Sequence, residues 1–97
     1  MTKECVLVLD NIRSVENTAS IFRTAECLGV AKIILVGTTP TPLDRFGRKR
    51  KDFAKVALGA ESLISWEIGK SISLEIKKLK DSGYRIIVLE QDSRSQK

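Results

Sequence analysis

Polar residues that could bind or orient a ligand recur along residues 11–29. Asn17, Ser20 and Thr24 lie at positions i, i+3 and i+7, with Arg23 beside them. An amide, two hydroxyls and a guanidinium can together hold a hydroxyl-bearing or anionic ligand. The chain contains no histidine, which excludes histidine acid–base chemistry, Ser-His-Asp and Cys-His sites, and the commonest zinc sites.

These polar residues require a helix that packs on a sheet through its opposite side. The same stretch carries apolar residues at i, i+4, i+7 and i+10, which is the pattern of one buried helical stripe. That stripe consists of Val15, Ala19, Phe22 and Ala25. Ser14 is suited to cap the first turn, and Gly29 is suited to end the helix in a left-handed conformation.

Short apolar runs on either side of this helix predict parallel strands. Residues 5–9 are continuously apolar, and residues 31–36 and 84–89 are apolar apart from Lys32 and Arg85 near their starts, without the alternation of a half-exposed strand. We predict a further brief strand at 64–67, a helix over 48–60 ended by Gly59, and a third helix capped by Ser71 and closed by Gly83. The fold class is α/β, a Rossmann-like open, mainly parallel sheet with flanking helices. The last strand is apolar on both faces, so we expect it to need cover and neighbours that this chain does not supply.

Charge is concentrated in one part of the 97-residue chain, which we treat as a single domain over 1–97. Residues 44–55, the basic segment, contain six cations and two anions, whereas the whole chain has a net charge of +5. Such a block indicates either a polyanionic partner, most often a nucleic acid, or a solvated surface. The two cysteines, Cys5 and Cys27, are too far apart for a C-x-x-C motif, and we expect them to be buried and reduced.

Several common sites and signals have no counterpart in the sequence. It has no GxGxxG or GxxxxGK[ST] motif, no metal-ligand spacing, no signal peptide and no apolar run near the ~20 residues of a membrane helix. We therefore predict a cytoplasmic protein with no metal site and no membrane association.

A longer motif adds to this interpretation. Residues 11–30 have the pattern NIRSxxNxxSIFRTAExxGV, which closely resembles the first signature motif of the SpoU/TrmH-type RNA ribose 2′-O-methyltransferases of the knotted SPOUT class. The run KVALGAE at 55–61, with Trp66 and Glu67, resembles the segment that follows the second strand in that family.

The resemblance implies methyl transfer from S-adenosylmethionine to a ribose 2′-hydroxyl of tRNA or rRNA. Arg23 would engage the hydroxyl, and Asn17 would help to hold it or the substrate backbone. The alternative for Arg23 is a surface ion pair with Glu26 at i+3. The other RNA contacts are expected from Arg13, Ser20, Arg45, Arg48, Lys49, Arg50, Lys51 and Lys55.

The sequence departs from the family in its length. Relatives continue with two further motifs, which form the trefoil knot and the S-adenosylmethionine site, and neither occurs in this sequence. We therefore predict a partial SPOUT fold without the knot-forming C-terminal part, with no cofactor-binding residues and no activity alone. A homodimer, or a chain that supplies the missing half, is the expected partner besides RNA. A non-catalytic RNA-binding or assembly module derived from the family is the alternative function.

Overall fold

A four-stranded, fully parallel sheet forms the centre of the computed structural model, which describes residues 4–90. The strands are β1 (Cys5–Asp10), β2 (Lys32–Val36), β3 (Ser65–Ile68) and β4 (Arg85–Glu90), in the spatial order β3-β2-β1-β4. The helices are α1 (Val15–Leu28), α2 (Lys51–Ala57), α3 (Ala60–Leu63) and α4 (Ile72–Asp81). The predicted α/β class and parallel sheet are confirmed.

Both faces of the two central strands are buried, which explains their continuous apolar character. One face packs against α1, α2 and α3, and its members are Leu7, Leu9, Ile33 and Leu35. The other face packs against α4, and its members are Val6, Val8, Ile34 and Val36. Phe22 of α1 and Phe53 of α2 meet edge to face, with ring centroids 5.1 Å apart, which joins the two helices over the first face.

The strand order reverses between β1 and β4. The chain runs outward from β1 through β2 to β3, and then crosses back by way of α4 to β4, on the other side of β1. In open α/β sheets, ligands bind outside the carboxyl ends of the strands at such a reversal. The topology therefore selects the carboxyl ends of β1 and β4 as the place to look for a site.

Strand β4 is much more exposed than the central strands. It pairs with β1 along one edge, and no strand among residues 4–90 pairs with its other edge. Ile87, Val88 and Leu89 are 44%, 41% and 37% exposed, and alternate residues point to opposite faces. Both faces of β4 are therefore partly exposed, although Ile86 packs against the core cluster that includes Leu79 of α4.

The predicted helix over 48–60 is wrong in its bounds. Leu58 and Gly59 both adopt left-handed conformations, with φ of 55° and 89°, and two such residues in succession divide the segment into α2 and α3. The other helix ends agree with prediction: Ser14 and Ser71 accept capping bonds, and Gly29 is left-handed with φ 76°.

The expectation of two buried thiols is also wrong. Cys27 is exposed and Cys5 is half-buried, and both are free. Cys27 lies on the side of α1 opposite the apolar stripe, a side that the helical period assigns to solvent. Cys5 is the first residue of β1, and the fully buried part of the strand begins at the next residue, Val6.

Candidate functional site

Helix α1 presents its polar residues because its apolar stripe is fixed on the sheet. Ala19, Phe22 and Ala25 are at most 2% exposed, so the rotation of the helix about its own axis is set by packing. The first turn is closed by the Ser14 side chain, whose Oγ accepts from the Asn17 backbone N at 3.1 Å. Asn17 and Ser20 are consequently exposed on the side that faces β4.

These two residues line a groove of about 370 Å³ at the carboxyl ends of β1 and β4, which we call the carboxyl-edge groove. Its lining residues are Ile12, Asn17, Ser20, Ile21, Leu89 and Glu90. The groove lies where the strand order reverses, and its polar groups are one amide, one hydroxyl and one carboxylate. Sequence reasoning selected Asn17 and Ser20 but not Glu90, whose position depends on the pairing of β4 with β1.

The loops that follow β1 and β2 are joined by buried hydrogen bonds, and the first loop contributes Ile12 to this groove. The Thr39 hydroxyl accepts from the Ile12 backbone N at 3.1 Å and lies 3.0 and 2.8 Å from the carbonyl oxygens of Leu9 and Val36. Asn11 Oδ1 accepts from Thr38 N at 3.0 Å. The loops after β1 and β2 therefore act as one unit, which fixes the point where the chain enters α1.

Asn11 also constrains the residue at position 37. A Cβ on Gly37 would lie 2.0 Å from Asn11 Oδ1, and Gly37 has a φ of 68°. Only glycine combines that backbone conformation with so close an approach. No sequence pattern indicates this contact, because it joins two loops that are distant along the chain.

A second groove, the apolar groove, continues along α1 and β4 with a volume of about 360 Å³. Its lining residues are Leu7, Ser20, Ile21, Thr24, Ala25, Leu28, Val30, Ile87 and Leu89. Two hydroxyls are its only side-chain polar groups, whereas S-adenosylmethionine carries a sulfonium, an amino-acid group and an adenine. Those groups would lack partners there, and both grooves are wide open to solvent, unlike sites that enclose a small molecule. The described residues do not fit this cofactor.

Arg23 lies on a different side of α1 from both grooves. It is exposed and lines neither groove, and six residues of helix rotate it about 120° from Asn17 and move it about 9 Å along the axis. The alternative pair with Glu26 is not formed: residues 4–90 contain no hydrogen bond or ion pair from the Arg23 guanidinium to that carboxylate. Arg13, which precedes the helix, is exposed as well.

The basic segment divides into a turn and a helix start. Leu43 and Lys49 form an antiparallel bridge, so residues 43–49 make a short hairpin that carries Arg45, Arg48 and Lys49. Arg50 is the residue before α2, and Lys51 and Lys55 lie on α2 itself. All except the half-buried Arg50 are exposed, and none of the six lines either groove.

Two of these cations have carboxylate partners. Arg50 Nη2 lies 3.1 Å from Asp52 Oδ2, and Arg48 Nε lies 3.5 Å from Asp44 Oδ2. The hydrogen bonds from Arg50 lower the pKa of Asp52 below its ordinary value of 3.8. The exposed positive charge of the segment therefore comes mainly from Arg45, Lys49, Lys51 and Lys55.

Sequence reasoning missed an aromatic residue in this segment. Phe46 is 66% exposed at the tip of the hairpin, with the guanidinium carbons of Arg45 and Arg48 each 5.0 Å from its ring centroid. The pattern Arg-Phe-Gly-Arg at 45–48 was the available signal. Trp66, by contrast, is half-buried and packs on the core, as expected.

The described residues contain neither a metal-binding cluster nor a membrane-spanning helix. Between residues 4 and 90, no three or more cysteine or acidic side chains are grouped so that they could hold a metal ion. No helix in this part of the chain is long and apolar enough to cross a membrane.

Comparison with solved structures relates this fold to RNA-modifying enzymes. An rRNA methyltransferase from Sinorhizobium meliloti superposes with a TM-score of 0.71 at 19% identity, over 97% of this chain and 42% of that one. Its AdoMet-bound form gives 0.74 at 18% identity, over 96% and 42%. The A. aeolicus TrmH/SpoU tRNA modifying enzyme gives 0.74 at 13% identity, over 95% and 54%.

At these identities the structural likeness shows the fold, and the chain spans about half the length of the solved structures it matches. A comparison with curated protein sequences finds no significant match. The sequence model of the SpoU rRNA Methylase family, however, matches residues 4–97. This match covers nearly the whole chain and confirms the resemblance that the first motif indicated. The chain therefore belongs to the SpoU rRNA methylase family.

Proposed function

We propose that this chain is the RNA-substrate half of a methyltransferase that methylates ribose 2′-hydroxyls of tRNA or rRNA in the cytoplasm. The carboxyl-edge groove is the observation that carries the proposal. It presents Asn17 and Ser20 at the reversal of strand order, where α/β sheets bind ligands. Family membership supplies the reaction class, and the groove supplies a place for one nucleotide.

In this proposal Asn17 and Arg23 have different tasks. The Asn17 amide, as both donor and acceptor, holds the ribose or its phosphate in the groove. An arginine keeps its proton near neutral pH and is therefore a poor general base. Because Arg23 lies on another side of α1 from the groove that holds the ribose, the role we assign to it is to bind and orient the phosphate that adjoins that nucleotide. Its exposure and the absence of an ion pair with Glu26 leave the guanidinium available for RNA.

The remaining cations bind the phosphate backbone without reading sequence. Arg13 precedes α1, the basic segment leads into α2, and five of the six cations in the segment are exposed. Each phosphate contact releases counterions, so affinity for RNA falls steeply as salt rises. A flat salt response would contradict this role.

We propose that the methyl donor, S-adenosylmethionine, binds to polypeptide outside the described residues. The open face of β4 and the apolar groove support this, because both are apolar surfaces that more protein would cover. A second copy could cover these surfaces, whereas a chain that carries the missing half could cover them and also supply the cofactor site. Light scattering after size exclusion tests for such a partner, together with amide exchange in residues 86–89. A monomer with those amides strongly protected would contradict the proposal.

The reaction is tested at the level of the gene and of the RNA. The DNA after the codon for Lys97 is read for the two missing motifs, and the protein that contains them is assayed for methylation that blocks alkaline cleavage at one nucleotide. Arg23→Ala is expected to lower the rate roughly 10²-fold, because loss of a positioning contact displaces the reacting hydroxyl. Methylation of a base instead of the ribose would contradict the proposal.

A non-catalytic RNA-binding module is the second candidate, favoured by the poor fit of the described residues to S-adenosylmethionine. Calorimetry measures RNA binding and S-adenosylmethionine binding separately. The 97-residue chain is expected to bind RNA and not to bind S-adenosylmethionine. Tight, stoichiometric binding of the cofactor to this chain would show that the cofactor site is present after all. A gene without the two motifs downstream would favour the non-catalytic module.

A further inference from the structure

The tip of the 43–49 hairpin is held in one conformation by its own hydrogen bonds. Asp44 N donates to Arg48 O at 2.8 Å and Gly47 N donates to Asp44 O at 2.9 Å. The Asp44 carboxylate also accepts from the backbone N of Phe46 at 2.8 Å and of Arg48 at 3.0 Å. The turn therefore presents the side chains at 45, 46 and 48 in a fixed arrangement.

Phe46 has no packing role that would explain its position. It is 66% exposed and belongs to neither core cluster. Its neighbours are two guanidinium groups, each with Cζ 5.0 Å from the ring centroid. Arg48 is itself 73% exposed at its side chain, and its contact with Asp44 is a 3.5 Å surface pair, which holds it weakly.

An exposed aromatic ring beside two exposed arginines matches the chemistry of unpaired nucleotides. Bases stack on aromatic rings and on guanidinium planes, and arginine forks bind the flanking phosphates. Base–aromatic stacking is stronger than an exposed cation–π contact. A base can therefore displace one guanidinium from the ring, and that guanidinium then reaches the neighbouring phosphate.

We propose that Phe46, Arg45 and Arg48 form a stacking site for one unpaired base of the RNA substrate. The inference rests on the proposed function for its ligand class, and it restricts that class to RNA with an unpaired nucleotide near the modified one. A phosphate-only contact would need the charges but not the ring. The ring is what distinguishes single-stranded RNA from a duplex, whose bases are already stacked.

The test uses the 97-residue chain and a single-stranded oligoribonucleotide that contains one 2-aminopurine. The oligoribonucleotide has about 12 nucleotides, within the range that stacking grooves cover. Fluorescence of that base reports stacking, and anisotropy reports affinity. Phe46→Ala is compared with Phe46→Trp and with Leu63→Ala, a control at a residue that is 71% exposed and has no arginine partner among the described contacts. A blunt RNA duplex and polyglutamate serve as ligands without free bases.

We expect Phe46→Ala to weaken single-strand binding roughly 5- to 20-fold and to abolish the 2-aminopurine signal, since one stacking contact is lost. Phe46→Trp and Leu63→Ala should bind as the wild type does, and duplex affinity should not change. The slope of log Kd against log salt should be the same in Phe46→Ala, because no charge is removed.

Two results would overturn the stacking site. Unchanged single-strand affinity in Phe46→Ala, with the wild type binding RNA, removes the site and leaves the proposed function intact. An equal loss of affinity for the RNA duplex would show a general effect on the hairpin. An equal loss of affinity for polyglutamate would indicate an acidic protein partner instead of RNA. Absence of any RNA binding by the wild type would overturn this site and the RNA contact of the proposed function together.

Discussion

The polar side of α1 and the 43–49 hairpin both face solvent, but different forces hold them in place. Asn17 and Ser20 are positioned by the opposite side of their helix, where Phe22 is fully buried against the sheet and Phe53. The hairpin is positioned by hydrogen bonds within seven residues, chiefly those to Asp44. Core packing defines the first surface and local backbone bonds define the second.

This difference has a functional meaning. A residue that must orient one hydroxyl needs the rigidity of a packed core, since small displacements are costly for catalysis. A surface that gathers RNA through charge tolerates small movements, because phosphate attraction is long-ranged and has little directional demand. Damage to the core should therefore affect both surfaces, whereas damage to the hairpin should affect RNA affinity and leave the polar side of α1 unchanged.

The largest effect is expected from Phe22→Ala. Truncation of this buried ring leaves a cavity and removes the edge-to-face contact with Phe53, which should cost about 3–5 kcal/mol of unfolding free energy. Urea denaturation measures it. Leu28→Ala, on the same helix but at a residue 76% exposed, is the control and should stay within ~0.5 kcal/mol of the wild type.

A large effect on RNA binding, with little effect on stability, is expected when Arg45, Lys49, Lys51 and Lys55, which carry most of the exposed charge of the segment, are all changed to glutamine. Loss of four phosphate contacts should lower the slope of log Kd against log salt by about 3 and weaken single-strand binding at least ~10-fold at low salt. The triple change of Lys77, Lys78 and Lys80 on α4 is the control. Equal losses in both variants would show that net charge matters and the location of the charge does not.

A smaller effect is expected from Asp44→Ala. The backbone N–H groups of Phe46 and Arg48 lose an acceptor in an exposed turn, where water can replace it, so stability should fall by about 0.5–1 kcal/mol. RNA affinity should fall several-fold through the loosened hairpin, while the environment of Asn17, followed by its amide resonances, stays unchanged. A shift at Asn17 would mean that the two surfaces are coupled.

The smallest effect is expected from the ion pair at the start of α2. Because Arg50 lowers the pKa of Asp52 in the folded chain, the ionised carboxylate stabilises the fold above its ordinary pKa of 3.8, and this contribution is lost as the pH falls through the folded value. Asp52→Asn should remove that acid dependence. Denaturation curves at pH 7 and near pH 3 should differ less in the variant than in the wild type.

Sequence pattern predicted the parts of the molecule whose structure is decided locally. The stripe of α1, its Ser14 and Gly29 ends, and the buried strands follow from helical period and continuous apolar runs. The break between α2 and α3 could not be foreseen, because Leu58 takes a left-handed conformation that its residue type disfavours. The exposure of Cys27 could have been predicted from its place opposite the apolar stripe.

The candidate site was predictable in its residue types but not in its arrangement. The motif identified Asn17, Ser20 and Arg23 together, yet the structure places only the first two in the carboxyl-edge groove. The contribution of Glu90 requires the pairing of β4 with β1, and the joined loops require the contact between Asn11 and Gly37. Such long-range contacts leave no periodic signal in a single sequence.

The strand order also has a consequence for the folding of the chain during its synthesis on the ribosome. β1 is made first and lies inside the sheet, yet its partner β4 is eighty residues away, as in the pair Cys5 and Arg85. β1 can associate with β2 early, but one of its edges stays open for several more seconds, at roughly 5–20 residues per second of synthesis. Parallel pairing over such a separation is also intrinsically slow. The nascent chain should therefore depend on a holding chaperone until β4 emerges, and chains interrupted before residue 85 should be degraded or aggregate.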